Sequence, residues 1–360
     1  MNSVGKCVIY SCGPTLNDLV HIGAYRNFVF SDILSKHFQQ KHMSIVHGMN
    51  VMNAQNGIEL NTEYYYSKFV KDYKKMNLNL PNEITFTTQC EKEYMQIIFD
   101  LLKRKIAYRL PKGIYLDISQ IKNYGKLTGI SVTGNNSLIE NVNEKKNPSD
   151  FSLWKYSNDQ KIGYPGWDIQ CASNCIFHLG NSLDYIIVGF NELVHTENIN
   201  TLLGLYPSRN PLSTKWIRIH YVDFHNYSEL FYLADFLNNG FSRHVIKYIL
   251  YVMDYNSEVK LSAKYIEDCK KNCERINGFY IMLCEAQVNN KTSSNDVSIQ
   301  INYKKIDEQF SMLKTSSIIS ELFTVIKKYK SVLHKISLNN VVILKNYVEY
   351  LNNRLDFLER

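Results

Sequence analysis

Residues 6–51 read KCVIYSCGPTLNDLVHIGAYRNFVFSDILSKHFQQKHMSIVHGMNV, and this stretch decides the fold. Lys6–Ser11 is a short run of strand-forming residues that is expected to turn at Cys12-Gly13-Pro14. From Gly23 the apolar residues follow a helical spacing, and Met43–Val51 predicts a second strand. A strand, a helix and another strand in this order form a βαβ unit, which indicates a parallel sheet and an α/β fold.

The rest of the chain extends this alternation before it becomes helical. Tyr94–Lys105 has a clear helical pattern, Gly113–Ser119 predicts a strand, and Asp184–Phe190 is a β-branched run suited to a central strand. From about residue 228 onward the apolar residues follow a helical spacing, which predicts a helical bundle. Its core is marked by two apolar stripes, one formed by Ile318, Leu322, Val325, Ile326, Tyr329 and Leu333 and the other by Leu344, Val348, Leu351, Leu355 and Leu358.

Composition and charge narrow the class of protein. The 360 residues are 45% hydrophobic and 21% charged, which indicates a globular chain large enough for two domains. No run approaches the roughly 20 apolar residues that span a bilayer, and the first residues lack the pattern of a secretory signal. We therefore expect no membrane association and a cytoplasmic location, with an organellar one left open. The net charge of +7 suits a polyanionic partner such as RNA, but it also suits an ordinary basic protein.

The segment from Cys12 to Arg26 carries a specific motif, C-G-P-T-x-x-D-x-x-H-I-G-x-x-R. This motif closely resembles the N-terminus of cysteinyl-tRNA synthetases, class I enzymes with a Rossmann-type (HUP-like) catalytic domain. Related cysteine ligases that act on amino-sugar acceptors share the same opening. Further blocks resemble the family in the same order within residues 6–260, namely YGKLTG (124–129), PSDFSLWK (148–155), PGWDIQC (165–171) and HTEN (195–198).

The resemblance implies an order of domains along the chain. Residues 1–227 are expected to form the class I catalytic domain, with an insertion at about 62–165, and residues 228–360 an α-helical bundle. Bacterial relatives continue into a small anticodon-binding domain after their bundle. We expect that domain to be missing here.

The resemblance also implies one zinc ion that binds the thiol of the substrate cysteine. The family's ligand pattern falls on Cys12, Cys171 and His195, and its fourth ligand, a glutamate, falls on Ile199. Glu197 is a nearby carboxylate that could take that role. Apart from any resemblance, two thiolates and an imidazole are a ligand set that suits zinc. The alternative is that these are unrelated buried residues.

The two small substrates are expected at positions that match family motifs. The resemblance places the cysteine substrate near Cys12, Gly13, Thr15 and Trp167. It places ATP, with magnesium, near His21, Gly23 and Gly189, and the catalytic role falls to His21, Gly23 and His225. His225 stands at the second lysine position of the family's K-M-S-K-S motif, and a histidine there can carry a partial positive charge.

Both signature motifs for adenylate formation are altered. The H-I-G-H motif reads His21-Ile22-Gly23-Ala24, so its second histidine is lost. Val222–Asn226 reads VDFHN, so the second motif has no lysine. The family's N-I-T-D-x-D-D stretch is NVMNAQN at Asn50–Asn56, with the amides Asn53, Gln55 and Asn56 where the family carries acids. Each lost donor to a developing charge typically costs about 2.7–4 kcal/mol of transition-state stabilisation.

Three functions remain open from the sequence. The first is a divergent cysteine–tRNA ligase, a monomer whose partners are tRNA, cysteine and ATP. The second is a catalytically impaired pseudo-synthetase that acts as a binding or regulatory protein. The third is a cysteine ligase with a small amine acceptor, which would not need an anticodon-binding domain.

Overall fold

The computed structural model describes residues 5–55, 58–59, 61–130, 144–157, 163–180, 183–206, 214–224, 231–289 and 298–359. Its strands are, in chain order, β1 (Lys6–Thr15), β2 (Ser44–Met52), β3 (Ala54–Gln55), β4 (Ile58–Glu59), β5 (Glu83–Phe86), β6 (Ala107–Leu110), β7 (Gly113–Leu116), β8 (Phe151–Tyr156), β9 (Gly163–Pro165), β10 (Tyr185–Gly189), β11 (Lys215–Ile219), β12 (Val222–Asp223) and β13 (Val259–Lys260).

The helices alternate with these strands and then dominate the second half. They are α1 (Ile22–Gln40), α2 (Thr62–Lys75), α3 (Glu91–Lys103), α4 (Trp167–Phe177), α5 (Leu193–Gly204), α6 (Leu233–Asn238), α7 (Arg243–Tyr251), α8 (Ala263–Asn289), α9 (Tyr303–Ser311), α10 (Thr315–Tyr329) and α11 (Leu338–Leu355).

The central sheet has five strands in the order β11-β10-β1-β2-β5. β1 pairs in parallel with both β2 and β10, and β2 pairs in parallel with β5. The predicted α/β fold with a parallel sheet is therefore confirmed. Because β1 lies between β2 and β10, its carboxyl end is a point where the strand order reverses, the usual location of ligand sites in such sheets.

The first strand runs further than its sequence predicts. The expected turn at Cys12 is wrong, since β1 continues through Gly13 and Pro14 to Thr15. Pairing with β2 continues at Cys12 opposite Asn50, and it resumes at Thr15 after a shift in register. Proline has no N–H group to donate to a neighbouring strand, and such residues are accommodated where the pairing is irregular.

The described chain divides into two compact units. The first comprises Met1–Val20, Ser44–Val70 and Leu80–Arg218, and the second comprises His21–Met43, Lys71–Asn79 and Ile219–Arg360. In the first unit, α4 lies against α3, α5, β2 and β8, and a second, antiparallel sheet has the order β6-β7-β8-β9. Its core contains side chains that are fully buried, among them Tyr10, Ile98, Leu101, Leu153, Ile169, Ile186 and Ile199.

The second unit is built mainly of helices. α1 contacts α7, α9 and α11, while α8 contacts α7 and α11. The predicted stripe on the last helix is correct, because Leu344, Val348, Leu351 and Leu355 are all fully buried in α11. None of the helices in the described residues combines the length and the apolar composition needed to cross a membrane.

Arg26 is a fully buried charge in the middle of this second unit. Its guanidinium group donates five hydrogen bonds of 2.6–3.2 Å, all of them to backbone carbonyl oxygens. The acceptors are the carbonyl groups of His220, Leu250, Met253, Asp254 and Ser257. Arg26 thus ties α1 to the end of α7 and to the chain beside β12 and β13.

Candidate metal centre

Three residues far apart in sequence meet at the carboxyl edge of the central sheet. Cys12 lies near the end of β1, Cys171 on the second turn of α4, and His195 on the first turn of α5. Their ligand atoms all lie within 4.8 Å of one another, and they form the group capable of holding a metal ion among the described residues. Cys171 and His195 are almost completely buried, while Cys12 is partly exposed.

The spacing of these atoms fits tetrahedral zinc. The two sulfur atoms are 4.0 Å apart, and Nε2 of His195 lies 3.9 Å from Sγ of Cys12 and 3.4 Å from Sγ of Cys171. With Zn–S of about 2.3 Å and Zn–N of about 2.0 Å, tetrahedral geometry spaces two sulfur ligands by about 3.8 Å and a sulfur and a nitrogen by about 3.5 Å. The three donors therefore need only small side-chain adjustments to hold one ion.

A chain of hydrogen bonds fixes the orientation of the imidazole. Nδ1 of His195 lies 2.5 Å from Oδ1 of Asp168, and Oδ2 of Asp168 accepts a hydrogen bond of 2.9 Å from Asn198. Asn198 in turn accepts a hydrogen bond of 2.7 Å from the hydroxyl group of Tyr124. A carboxylate on one ring nitrogen directs the other nitrogen towards a metal, as is common in zinc sites. Nε2 of His195 is the atom left facing the sulfurs.

The electrostatics of the cluster favour a thiolate at Cys171. Burial disfavours that charge, but the hydrogen bond from Cys12 and the positive charge of His195 outweigh it and lower the pKa of Cys171 to about 6. Burial likewise opposes charge on His195, while the Cys171 thiolate and the Asp168 carboxylate raise its pKa well above the usual range. The hydrogen bond with Cys171 and burial raise the pKa of Cys12. A thiolate is the form in which cysteine binds metals.

Glu197 is not a member of this cluster. Its side chain is fully buried, and Oε2 accepts hydrogen bonds of 3.0 and 2.9 Å from the backbone N–H and the hydroxyl group of Thr128. Ile199, at the position of the family's fourth ligand, is fully buried in the apolar core. The structure thus gives Glu197 a contact that holds the 124–129 segment, and it gives Ile199 a packing role.

Trp167 packs against the side chain of His195. Its ring stacks on that of His195, with centroids 4.0 Å apart and an interplanar angle of 16°, and 47% of the residue remains exposed. Both side chains line a cavity of about 360 Å³ together with Asp168, Glu192, Ser152 and Asn198. A cavity of this size next to the cluster has room for a small amino acid.

Two glycines, Gly13 and Gly189, lie where another part of the chain comes close to the backbone. A Cβ atom at Gly13 would lie 2.1 Å from the carbonyl oxygen of Asn50, so no larger residue fits between β1 and β2 there. Gly189 ends β10, and its N–H donates to Oε2 of Glu192 at 3.3 Å. Thr15 is half-buried at the end of β1 opposite Met52.

The residues expected to face ATP at the first signature motif lie in the second compact unit. His21 is the N-cap of α1, and its Nδ1 accepts a hydrogen bond of 3.3 Å from the backbone N–H of Ala24. The His21 ring lies 5.3 Å from the ring of Phe231 and 6.4 Å from that of Phe224, measured between centroids. Gly23, in the first turn, lies against the rings of His21 and Phe224, since a Cβ atom there would be 3.1 Å from Nδ1 of His21 and 3.4 Å from Phe224.

The second signature position is only partly described. Val222–Asp223 forms β12, which pairs in parallel with β13, and Phe224 packs with Phe231 at a centroid distance of 5.2 Å. His225 lies outside the described residues.

Three residues that bear on the cluster were not among the expected site residues, namely Asp168, Asn50 and Glu192. Asn50, for example, lies 3.5 Å from Sγ of Cys171 through its side-chain oxygen. The signal for Asp168 was its position, one helical turn before Cys171.

Comparison of the sequence with known proteins found a matching family and several relatives. The model of the tRNA synthetase class I (C) catalytic domain matches residues 2–271. The cysteine–tRNA ligase of Brachyspira hyodysenteriae is 26% identical over 98% of this chain and 81% of its own length. That of Methanococcus vannielii is 26% identical over 96% and 80%, and that of Treponema denticola is 26% identical over 76% of this chain and 64% of its own length.

Solved structures share the fold at low sequence identity. Methionyl-tRNA synthetase from Mycobacterium tuberculosis in complex with methionyl-adenylate superposes with a TM-score of 0.69 at 9% identity, covering 98% of this chain and 92% of that one. Arginyl-tRNA synthetase from Plasmodium falciparum gives a TM-score of 0.63 at 13% identity, covering 99% and 76%.

Proposed function

The chain belongs to the family of class I (C) tRNA synthetase catalytic domains, and on that premise we propose that it is a cysteine–tRNA ligase. It would activate cysteine with ATP and transfer the cysteinyl group to tRNA. The observation that carries this proposal is the Cys12, Cys171 and His195 cluster, whose donor atoms lie 3.4–4.0 Å apart beside a cavity of amino-acid size.

Selection of cysteine would take place at the cluster. Cys12, Cys171 and His195 would hold a zinc ion, which when bound would supply a Lewis acid for a thiolate and discriminate against the hydroxyl group of serine. Asp168 holds the His195 imidazole in the tautomer that leaves Nε2 free to be a ligand. Trp167 shields one face of that ring and closes one side of the cavity. Gly13 keeps the β1 backbone close to β2 next to Cys12.

Activation requires a site for the triphosphate. The carboxylate of cysteine attacks the α-phosphorus atom of ATP, and magnesium pyrophosphate leaves. In this proposal the backbone N–H groups and dipole of the first turn of α1, at His21 and Gly23, stabilise the negative charge. His225 would contribute a partial positive charge. Gly189, which has no side chain, would leave room for the adenosine of ATP. A hydroxyl group of the terminal tRNA ribose then attacks the acyl carbon, and AMP leaves.

The remaining assignments follow from the same proposal. Residues 1–227 would act as the catalytic domain, with the insertion at about 62–165, and residues 228–360 as the helical bundle. The partners would be tRNA, cysteine and ATP, and the site of action the cytoplasm.

A specific observation favours a second candidate, a pseudo-synthetase that binds without activating. The His21 ring packs against Phe231 and against Phe224, which lies in the segment that resembles the family's K-M-S-K-S motif. Ala24 has no side-chain donor, and residues 222–224 contain no lysine. Such a protein would bind cysteine at the cluster but would not form an adenylate.

Cysteine-dependent exchange between ATP and pyrophosphate separates the two candidates. The ligase shows exchange with cysteine and not with serine, and Cys171→Ser abolishes it. Cys175→Ser is the matched control, because Cys175 is buried one turn further along the same helix and is not in the cluster. An intact, zinc-loaded wild-type protein without exchange above background contradicts the ligase and supports the second candidate.

A further inference from the structure

Glu192 stands three residues before His195 at the beginning of α5. It is the N-cap residue of that helix, and His195 lies in the first turn. Residues three apart at a helix start project to the same side, and a Glu-x-x-His pair on one helix is a recurrent way to offer a carboxylate and an imidazole to one metal ion.

The carboxylate of Glu192 lies over the end of the strand next to Cys12. Its Oε2 accepts a hydrogen bond of 3.3 Å from the N–H of Gly189, the last residue of β10. β10 is the parallel neighbour of β1, with Ile187 opposite Ser11, so Gly189 is at the level of the chain just beyond Cys12.

Glu192 and His195 also line the same cavity. Both line the cavity of about 360 Å³ that Trp167 and Asp168 border. Glu192 is half-buried there and is held by one modest hydrogen bond. Glu197, in contrast, is fully buried and gives one oxygen to two hydrogen bonds from Thr128.

We propose that Glu192 is the fourth protein ligand of the metal centre, a carboxylate that replaces the ligand lost at Ile199. This inference rests on the proposed function only in taking the cluster as a metal site. Rotation about the side-chain bonds of Glu192 moves the carboxylate from the Gly189 N–H towards the ion, and Glu197 stays on Thr128. Two thiolates, an imidazole and a carboxylate then surround one Zn²⁺ ion, and zinc sites of this kind can expand to a fifth ligand such as a substrate thiol.

The test measures metal binding directly, without ATP or tRNA. Zinc affinity is determined by competition with a chromophoric chelator for wild type, Glu192→Gln and Glu197→Gln. We expect Glu192→Gln to bind zinc at least tenfold more weakly, as even the loss of an outer hydrogen bond to a metal ligand commonly costs about 10–100-fold. Glu197→Gln should keep the wild-type affinity. Glu192→His, which offers a new nitrogen ligand, should recover much of the loss.

A second readout follows the coordination sphere itself. In the cobalt-substituted protein the visible absorption of tetrahedral Co²⁺ should shift in Glu192→Gln and stay unchanged in Glu197→Gln. Glu91→Gln is the matched control, because Glu91 is also an acidic residue at the beginning of a helix but lies in α3, away from the cluster. It corrects for the loss of a negative charge at a helix N-terminus.

The outcomes separate this inference from the proposed function. Equal zinc affinity and equal cobalt spectra in wild type and Glu192→Gln overturn the inference, and so does a loss confined to Glu197→Gln. A wild-type protein that binds no stoichiometric zinc overturns both the inference and the zinc-assisted selection of cysteine. Tight zinc binding that depends on Glu192, without ATP–pyrophosphate exchange, supports the inference and contradicts only the ligase activity.

Discussion

Nδ1 of His195 lies 2.5 Å from Oδ1 of Asp168, and this contact turns the opposite ring nitrogen towards the sulfur atoms of Cys12 and Cys171. The carboxylate is itself held by Asn198, so the imidazole is oriented before any ion arrives. The family block to which Asp168 belongs has a histidine at this position.

Replacing Asp168 with asparagine should weaken zinc binding by about 10–100-fold, because an amide can hold the ring in place but does not increase the basicity of Nε2. Chelator competition on Asp168→Asn against wild type measures the change. Asp100→Asn is a control, since that partly exposed aspartate pairs with Arg104 elsewhere on the first unit. Wild-type affinity in Asp168→Asn would show that the negative charge of Asp168 has no part in metal binding.

Restoring the second histidine of the first signature motif should increase activity. Ala24→His adds a donor at the first turn of α1, and one such donor to a developing negative charge is typically worth about 10²–10³ in rate. The measurement is the rate of cysteine-dependent ATP–pyrophosphate exchange. Ala24→Leu, which adds a side chain of similar size without a donor, controls for bulk. If neither variant exceeds wild type, the missing histidine is not what limits the reaction.

Arg26 should be among the most stabilising single residues of the second unit. Arg26→Met removes the donor to five carbonyl oxygens from the interior of the unit, and we expect a loss of about 3 kcal/mol or more in the free energy of unfolding. Arg26→Lys keeps a charge but fewer donors, and its loss should be smaller. Urea denaturation followed by circular dichroism measures both.

The control for that experiment is Arg104→Met. Arg104 is partly exposed and pairs with Asp100 four residues earlier on α3, and such surface pairs contribute about 0–1 kcal/mol. A loss in Arg26→Met no larger than in Arg104→Met would contradict the role assigned to the buried guanidinium group.

Stability should fall in mild acid because two buried histidines resist protonation. Burial lowers the pKa of His47 to about 4, and burial with the charges of Arg354 and Lys41 lowers that of His37 to about 4, against a usual value near 6.5. The unfolded chain therefore takes up protons that the folded chain refuses, and the free energy of unfolding decreases as the pH falls from about 6.5 towards 4. Each histidine accounts for about 2 kcal/mol between pH 7 and pH 5.

Urea denaturation at pH 7 and at pH 5 checks this expectation. His47→Gln retains a polar side chain towards Ser11, whose hydroxyl group lies 2.8 Å from Nε2 of His47. The variant should lose less stability between the two pH values than wild type does, by about the contribution of one histidine. The same difference in wild type and variant would show that His47 is not a source of the pH dependence.

The sequence predicted the parallel sheet well, because the apolar spacing of residues 6–51 depends on local geometry. It predicted the bounds of β1 less well. Cys12, Gly13 and Pro14 look like a turn, but pairing with β2 carries the strand past them, and such pairing comes from residues some forty positions away. Local patterns contain no information on contacts of that range.

The sequence predicted only those residues of the candidate site that fall in recognisable motifs. Cys12 and Cys171 are 159 positions apart, and no rule on sequence spacing predicts that they lie close together. Only the resemblance to a family predicted this pair. Glu197 was a reasonable candidate from its distance along the chain to His195. Its carboxylate binds Thr128 instead, because side chains two apart on a helix project in different directions. Glu192 could have been considered from its spacing to His195, which is a helical turn.

The two sulfur atoms at 4.0 Å have a practical consequence. A disulfide bond needs them at about 2.05 Å, so the sulfur atoms would have to come about 2 Å closer to form one. Without an ion between them, Cys12 and Cys171 are therefore neighbours that air can oxidise to a cystine, which offers no thiolate. Protein for every metal titration should be kept anaerobic and reduced, with its free thiols counted first, since an oxidised sample would imitate a chain that never had a metal site.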